Sequence, residues 1–382
     1  MRAIPLPKGV ILHRDQWREL GVSSRRLAGD EFVRLFPGLH MPRHSPADLD
    51  AMCRALQQVV VPGAVLSHTT AAVLYGIPVP HAADGRIGML LSRRDPHTGR
   101  RTVSLRRRRD DPSAGPRSET DLEQLGDAEV TLCIPRLHCR VPPGTRLSAG
   151  PHVSVHRMHP GRTRRVHGLC LSSPGEMLLE LAQHLEHDEV VIALDHVLGP
   201  QESFGPLRRP MLRDRLAPYE GRRGYRSLLR ALGDARDAVE SPGETRTRLL
   251  LLRAGFPEPT PNLPVRDPDS GEIRRLDIAY PELKIAIEYD GDIHRSRNAW
   301  RQDQARQDSL ESVGWTFRRL TMTDIREPAR FLDALRRSVV AAGAPAPPAT
   351  AWAGPAARML GRPRPRPEPV PRPRRQPGTR DR

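Results

Sequence analysis

The segment RLDIAYPELKIAIEYDGDIH, which begins at Arg275, constrains the fold more than any other part of the chain. Strand-forming residues flank the turn signal at Pro281, which predicts two strands joined as a hairpin. The carboxylates inside these strand-like runs belong to Asp277, Glu288 and Asp290. Carboxylates in a buried strand are costly unless other groups compensate them. The segment therefore predicts either an exposed hairpin with ordinary charges or a sheet whose acids have a task.

Side chains alternate along a strand, so the two runs also predict which residues share a face. In the second run, Glu288 and Asp290 share one face. The opposite face is wholly apolar and consists of Ile285, Ile287 and Tyr289. With the turn centred at Pro281, Asp277 is expected opposite Ala286 and diagonal to Glu288. All three acids then point the same way, each within roughly 5–8 Å of a neighbour.

Three carboxylates at that spacing repel one another unless a cation lies between them or some are protonated. Oxygen ligands suit a hard divalent ion, Mg²⁺ above all. The alternative is an exposed hairpin whose acids pair with arginines, for which the candidates are Arg274, Arg275 and Arg295. The apolar opposite face and the helical pattern that follows favour a position inside a mixed sheet.

The net charge of +16 and the isoelectric point of about 10.9 bear on the partner. A chain this basic favours a polyanion, with nucleic acid first and an anionic membrane surface second. No apolar run approaches the roughly 18 residues that span a bilayer, so no membrane partner is expected. The four cysteines show no CxxC spacing, which fits a reduced, cytoplasmic interior.

The length of 382 residues predicts two or three domains in an α/β chain. HRDQWREL and SSRRLAGD predict two short helices, and FVRLFPGLHMP predicts a hairpin. This is the outline of a winged helix-turn-helix, with a small helical cap as the alternative. The expected regions are a winged-helix-like DNA-binding region (1–80), a variable loop-rich insertion (81–150), a helical and mixed middle region (151–236), a mixed sheet with flanking helices (240–340) and a disordered Arg/Pro-rich tail (345–382).

The order of motifs from Glu244 onward, over about 80 residues, resembles the PD-(D/E)XK nuclease superfamily with its restriction-endonuclease-like fold. More closely, it is similar to a bacterial domain of unknown function related to very-short-patch-repair (Vsr) endonucleases. The matching positions are Glu244, Arg248, Leu252, Gly255, Asp277, Pro281, Glu282, Lys284, Glu288, Asp290, Gly291, His294, Asp303, Arg306, Leu310, Gly314 and Trp315.

This resemblance implies metal-dependent hydrolysis of a DNA phosphodiester. Asp277 and Glu288, with Asp290, would hold Mg²⁺ or Mn²⁺, which lowers the pKa of an attacking water. His294 or Asp290 could orient that water or protonate the leaving oxygen. The guanidinium groups that could clamp the phosphate are those of Arg248 and Arg306.

The chain departs from the superfamily pattern at one position. A lysine usually follows the second acid by two residues, and Asp290 stands there instead, as in the Vsr relatives. Lys284 is a poor substitute, because four strand residues place it roughly 13 Å away. Glu244 also has two readings: Ser241-Pro-Gly-Glu244 is a capping box, and Glu244 is equally a candidate residue behind the metal ligands.

The front of the chain has its own resemblance. GVSSRRLAGDEFVRLFPGLHMP is similar to the winged-helix N-terminus of AbiEi-type antitoxins, which implies that Arg25 and Arg26 lie on a DNA-recognition helix. It also implies a cognate toxin-like protein as a partner. Two hypotheses follow: a DNA-binding protein with a metal-dependent endonuclease module, or a non-catalytic antitoxin-type transcriptional regulator that uses the nuclease fold as a scaffold. The oligomeric state stays open.

Overall fold

The computed structural model describes residues 6–43, 45–80, 88–94, 101–107, 129–159, 161–200, 204–291, 307–354 and 360. The chain divides into two compact units, Met1–Leu181 and Ala182–Arg382. Both contain helices and sheets, so the α/β class expected from the sequence is confirmed. Among the described residues, no helix is long and apolar enough to cross a membrane.

The front of the first unit contains two short helices and a small sheet. Its elements are β1 (Leu12–His13), α1 (Arg14–Glu19), α2 (Ser24–Leu27), β2 (Phe32–Phe36) and β3 (Leu39–Pro42). The antiparallel sheet has the order β1-β3-β2. Trp17 is fully buried and meets Phe32 edge to face, with ring centroids 5.0 Å apart. Gly38 adopts the left-handed conformation that the β2–β3 turn requires, with φ +76°.

A five-stranded sheet forms the rest of the first unit's core. Its order is β10-β11-β4-β8-β9. The elements are α3 (Leu49–Ala55), a π-helical turn (Leu56–Val60), β4 (Val65–Leu66), α4 (His68–Leu74), β8 (Leu137–Val141), β9 (Val153–Arg157), β10 (Thr163–Val166) and β11 (Leu169–Ser172). α5 (Pro174–His184) follows β11. Strands β9 to β11 and helix α5 thus form the start of the region expected to be helical and mixed (151–236).

The region expected to be a loop-rich insertion contains strands. β5 (Gly88–Arg94), β6 (Arg101–Arg107) and β7 (Glu129–Cys133) form a separate sheet of order β6-β5-β7. β8 belongs to the five-stranded sheet and pairs with β4 and β9. The expected boundaries at 80 and 150 therefore cut through one sheet and are wrong. β4 is only two residues long, so its long-range pairing leaves no periodic signal in the sequence.

The second unit begins with helices and ends with a four-stranded sheet and its flanking helices. Its elements are α6 (His187–Leu198), α7 (Arg209–Leu216), a 3-10 turn (Ala217–Tyr219), α8 (Tyr225–Asp234), α9 (Pro242–Arg253), β12 (Thr260–Arg266), β13 (Ile273–Tyr280), a 3-10 turn (Pro281–Leu283), β14 (Ile285–Tyr289), helical residues 307–312, β15 (Thr316–Leu320), α10 (Met322–Arg326) and α11 (Ala329–Ala341). The sheet order is β12-β13-β14-β15, antiparallel except for β14 with β15. The predicted hairpin therefore lies inside a mixed sheet.

The two faces of this sheet bury different cores. Ile278, Ile285 and Ile287 pack on the side that holds Leu250 of α9 and Leu335 of α11. The smaller core on the other side consists of Leu276, Ala279, Ala286, Leu310 and Phe317. The apolar strip predicted on β14 is thus covered by helices, as its sequence requires.

The expected disordered tail begins too early at residue 345. Trp352, in a 3-10 turn (Ala349–Trp352), is 2% exposed and stacks on Phe256 with ring centroids 5.7 Å apart. Its Nε1 donates a hydrogen bond to Asp333 at 2.9 Å. The aromatic ring supplies apolar burial that the Arg/Pro repeat after it lacks, so the expectation is wrong as far as residue 354. Residues 361–382 lie outside the described residues.

Candidate active site

The register of β13 and β14 brings two of the predicted acids together. Ala279 pairs with Ala286, and Ile278 pairs with Ile287. Continuing this register by one residue places Asp277 beside Glu288. The expectation that Asp277 lies opposite Ala286 is therefore wrong by two residues. A two-residue shift preserves the face of a strand, so the prediction that the acids share a face stands.

Backbone hydrogen bonds hold Asp277 and Asp290 in place. The Tyr289 amide donates to Asp277 Oδ2 at 3.0 Å, across the two strands. The Asp290 amide donates to the Leu320 carbonyl at 2.8 Å, which fixes the end of β14 against β15. The side chains of Asp277, Glu288 and Asp290 are all half-buried. Each carboxylate thus combines a fixed backbone with partial access to solvent.

Glu244 approaches this pair of strands from α9. Its side chain is 6% exposed, and Oε2 accepts hydrogen bonds from the Glu240 amide at 3.0 Å and from Asn262 Nδ2 at 2.8 Å. Burial raises the pKa of Glu244, these hydrogen bonds oppose the rise, and the charge of Asp277 adds to it. Glu244 is therefore electrostatically coupled to Asp277, so it belongs to the acidic group.

The cap of α9 uses only part of the predicted capping box. Ser241 Oγ accepts a hydrogen bond from the Glu244 amide at 3.2 Å, as a serine N-cap does. The Glu244 carboxylate does not return to Ser241; it binds the amide of Glu240 and the side chain of Asn262. The cap reading of Glu244 is therefore confirmed in part, and its role behind the metal ligands stays a prediction.

A glycine lets α9 approach the sheet closely enough for this contact. A Cβ atom added to Gly243 would lie 2.1 Å from Cδ1 of Tyr289, far inside contact distance. The helix therefore rests directly on the Tyr289 ring. This packing sets the distance of Glu244 from the acidic strands.

Asn262 contacts Glu244, although no sequence pattern points to it as a site residue. It lies in β12 with φ +46°, a backbone conformation that asparagine tolerates better than most residues. Its Nδ2 donates to the Ala238 carbonyl at 2.7 Å as well as to Glu244. Asn262 therefore ties β12 to the start of α9. An asparagine between two prolines, Pro261 and Pro264, gives no local signal for that role.

Arg248 has a different role from the one expected. Its side chain is 1% exposed, and its guanidinium contacts Asp195 at 3.0 Å and Glu258 at 3.2 Å. It also donates to the Asp234 carbonyl at 2.8 Å. A phosphate cannot reach a guanidinium buried in this way, so the prediction of a phosphate clamp at Arg248 is withdrawn. Arg248 instead neutralises the buried carboxylate of Asp195.

Arg319 lies beside the acidic strands, although the sequence pattern pointed to Arg248 and Arg306 for phosphate binding. It is exposed and pairs with Glu288 in the parallel register of β14 and β15. Its guanidinium donates to Gln307 Oε1 at 2.8 Å. Side-by-side residues in a sheet share a face, so Arg319 lies on the acid face. The alternation of side chains along the predicted strand GWTFRRLT could have indicated that Arg319 and Arg318 lie on opposite faces.

The remaining basic residues predicted for the site have contacts of their own or lie outside the described residues. Lys284 donates from Nζ to the Val313 carbonyl at 2.8 Å, so it is not a substitute for the missing lysine. In α2, Arg25 is exposed, and Arg26 pairs with Glu31 at 2.8 Å. Arg275, a candidate partner of the acids, pairs with Glu240. The predicted residues outside the described ranges are His294, Arg306 and the arginine at 295.

The donor set at this site fits a hard divalent cation. Asp277 within β13, Glu288 near the end of β14 and Asp290 just after it offer carboxylate oxygens, and Mg²⁺ and Mn²⁺ prefer oxygen ligands. Burial is the main cause of the raised pKa of Glu244, and the charge of Asp277 adds to the rise, so negative charges lie near one another here. A cation in this position would relieve that repulsion.

Comparison with known proteins gives relatives but no family. The chain is 28% identical over 213 residues to two proteins of Mycobacterium tuberculosis, "Uncharacterized protein MT2308" of strain CDC 1551 / Oshkosh and "Uncharacterized protein Rv2248" of strain ATCC 25618 / H37Rv. The match covers 55% of this chain and 75% of each relative. No protein-family profile matches the chain, and no solved structure matches it significantly.

Proposed function

We propose that the protein binds DNA and that its second unit carries a metal-dependent endonuclease-like site that hydrolyses DNA phosphodiesters. The observation that carries this proposal is the adjacency of Asp277 and Glu288 on paired strands, with Glu244 electrostatically coupled to Asp277. Acids brought together at the expense of mutual repulsion are typical of metal-dependent sites rather than of packing.

The charge of the chain and its front region support DNA as the substrate class. A net charge of +16 favours a phosphate backbone as partner. The arrangement of α1, α2 and the β2–β3 hairpin is compatible with the winged helix-turn-helix that the sequence resembles. Arg25 is exposed on α2, where a DNA phosphate could reach it.

Each residue of the site has a definite task in this mechanism. Asp277, Glu288 and Asp290 would hold Mg²⁺ or Mn²⁺, which when bound polarises the phosphate and acidifies a water. The Tyr289 amide fixes the orientation of Asp277 through Oδ2. Hydrogen bonds engage Oε2 of Glu244, so a proton carried by this residue would reside on Oε1. Arg319 is placed to bind a phosphate beside Glu288.

One observation favours the second candidate function, a non-catalytic antitoxin-type DNA-binding regulator. The chain contains only two lysines, Lys8 and Lys284. Lys284 is bonded to the Val313 carbonyl, so the lysine that most members of the resembled superfamily use has no equivalent among the acids. On this view, the nuclease-like unit would be a scaffold, and a toxin-like protein would be the partner.

Plasmid nicking separates the two functions. Purified full-length protein is incubated with supercoiled plasmid and Mg²⁺ or Mn²⁺, with and without a chelator. The nuclease function predicts nicked plasmid that the chelator prevents. The regulator function predicts plasmid binding in a gel shift with no conversion under either metal.

A further inference from the structure

The longest stretch of the chain without an acidic residue runs through the five-stranded sheet of the first unit. Residues 130–175 contain seven arginines and no aspartate or glutamate, although 45 residues of the chain are acidic. Strands β8, β9, β10 and β11 all lie in this stretch. Arg140 is 2% exposed and pairs with Glu176 and Glu180, so its charge is neutralised inside the unit. The other six arginines are exposed.

Three of the exposed arginines lie together at one edge of this sheet. Arg162 comes directly before β10, and Arg164 and Arg165 lie in it. β10 is the edge strand in the order β10-β11-β4-β8-β9. Side chains alternate across a strand, so Arg164 and Arg165 lie on its two faces, and both can be reached from the open edge. We call Arg162, Arg164 and Arg165 the arginine edge.

A tight turn keeps β10 regular up to the tip of its hairpin. Val166 pairs with Leu169, so only His167 and Gly168 connect β10 to β11. Their φ angles are +48° and +81°. Two positive φ angles in a two-residue loop are the mark of a type I′ turn, whose twist matches that of the paired strands. The arginine edge is therefore carried by a regular hairpin rather than by a long loop.

The partner strand β11 is bonded firmly to the rest of the unit. The side chain of Gln57 donates to the Cys170 carbonyl at 2.7 Å and accepts from the Cys170 amide at 3.1 Å. The Tyr75 hydroxyl donates to the Ser172 carbonyl at 2.9 Å. These bonds hold the hairpin backbone in place before any partner arrives. Binding then costs mainly the side-chain freedom of the arginines.

The charges of the arginine edge have no ion-pair partner within the described residues. Elsewhere in the same unit, Arg18 pairs with Asp15 at 3.1 Å and Arg26 pairs with Glu31 at 2.8 Å. Three cations within four residues repel one another, and an anion bound between them removes that repulsion. The edge is therefore an uncompensated positive surface on a fixed backbone.

Duplex DNA matches this surface better than an anionic membrane does. Guanidinium groups bind phosphate oxygens in a bidentate manner, and the DNA backbone carries closely spaced phosphates. A protein surface that inserts into a membrane interface needs exposed apolar side chains as well as cations. Among the described residues, no exposed large apolar side chain lies in the β10–β11 hairpin. The edge thus offers charge without an apolar anchor.

We propose that the arginine edge binds the phosphate backbone of duplex DNA through Arg162, Arg164 and Arg165. The proposal rests on the DNA binding proposed above and assigns to it a surface outside α2 and outside the acidic strands. Contacts to phosphates carry no sequence information, so this surface holds duplexes of unrelated sequence equally well.

The test measures binding of the full-length chain to a labelled 30-base-pair duplex by fluorescence anisotropy, over a series of salt concentrations and with a chelator present. The double variant Arg164→Gln/Arg165→Gln should weaken binding at low salt by about tenfold. Its slope of log K against log salt concentration should be shallower by about two units, because two phosphate contacts are lost. A duplex of unrelated sequence should give the same loss.

A matched variant controls for the loss of two positive charges. Arg136→Gln/Arg146→Gln removes two exposed arginines of the same acid-free stretch, which flank β8 rather than lie in β10. This variant should bind with nearly the affinity and salt dependence of the wild type. Equal binding by the two double variants would overturn the proposal and leave DNA binding by other parts of the chain intact.

Two further outcomes contradict the proposal in different ways. Wild-type protein that binds no duplex at any salt concentration would remove the proposed DNA binding together with this surface. Vesicles containing phosphatidylglycerol are the second probe, and binding to them but to no duplex would assign the edge to a membrane. Charged edge strands also prevent strand addition. Self-association of Arg164→Gln/Arg165→Gln with unchanged DNA affinity would show that this is the role of the arginines.

A measurement on the wild type decides the matter if the double variant does not fold, which circular dichroism checks. Phenylglyoxal modifies accessible arginines, and mass spectrometry locates the modified positions. Duplex DNA should protect Arg164 and Arg165 from modification and leave Arg136 reactive. Equal modification of Arg164 and Arg165 with and without bound duplex would overturn the proposal.

Discussion

Asn262 Nδ2 donates a hydrogen bond to Glu244 Oε2 at 2.8 Å and thereby ties β12 to the helix that carries Glu244. The same amide donates to the Ala238 carbonyl at 2.7 Å. The backbone of Asn262 has a φ of +46°, which affects stability, while its side chain holds Glu244. Substitutions can therefore separate the two effects.

Asn262→Gly should reduce Mg²⁺-dependent cleavage by about tenfold, because loss of one hydrogen bond to a charged group is worth about 1.5–3 kcal/mol. Stability should change little, since glycine accepts a positive φ without strain. Asn262→Ala removes the same side chain but keeps the strain, so its Tm should fall further. Equal cleavage by wild type and Asn262→Gly would show that the bond does not position Glu244.

The raised pKa of Glu244 predicts a pH dependence of stability. Between the unfolded-state pKa of about 4.5 and the higher folded-state pKa, the folded state binds more protons than the unfolded state. The free energy of unfolding should therefore fall as pH rises through this window. Glu244→Gln should remove this component, which urea unfolding of both proteins across the window measures. Asp277→Asn should lower the upper end of this window, because it removes a charge that raises the folded-state pKa of Glu244.

Gly243 and Gly233 give a matched pair of glycine substitutions. Gly243→Ala places a methyl group 2.1 Å from an atom of the Tyr289 ring, so it should destabilise the protein by about 1–3 kcal/mol. Gly233, inside α8, has no atom within 4 Å of its added Cβ. Gly233→Ala should therefore be neutral or stabilise by up to about 1 kcal/mol. Urea unfolding checks both, and similar values for the two would contradict the close packing of α9 on β14.

Arg319 and Arg318 are adjacent residues with different expected effects. Arg319→Ala should weaken DNA binding and leave Tm unchanged. The slope of log K against log salt concentration should become shallower by about one unit, which corresponds to one lost phosphate contact. Arg318 is half-buried and donates to Ser338 Oγ at 2.9 Å, so Arg318→Ala should lower Tm instead. Gel shifts at several salt concentrations measure the first effect. Unchanged affinity in Arg319→Ala would remove this residue from the site.

Strand alternation made the acid face of the hairpin predictable, because it depends only on neighbouring residues. The exact register was not predictable from Pro281 alone. A 3-10 turn (Pro281–Leu283) and a left-handed residue, Lys284 with φ +48°, lengthen the connection and move the pairing by two residues. The shift was even, so the shared face of Asp277 and Glu288 was still predicted.

Features that depend on distant residues escaped prediction. Arg248 looks like a surface arginine in its helix, but Asp195, 53 residues earlier, meets its guanidinium in the core. His68, His138 and His156 meet although they come from three separate elements: the start of α4, β8 and β9. Spacing along the chain carries no information on such contacts, and the adjacency of His138 and His156 appears only once their strands are paired.

Cleavage of supercoiled plasmid by wild type, Asp277→Asn and Asp269→Asn in Mg²⁺ tests the central proposal most directly. Asp269 is an exposed aspartate in the β12–β13 turn, so its variant controls for loss of one negative charge. We expect wild type and Asp269→Asn to nick the plasmid and Asp277→Asn to bind DNA without nicking it, while remaining folded. Cleavage by Asp277→Asn at the wild-type rate, or no metal-dependent cleavage by wild type, would contradict the assignment.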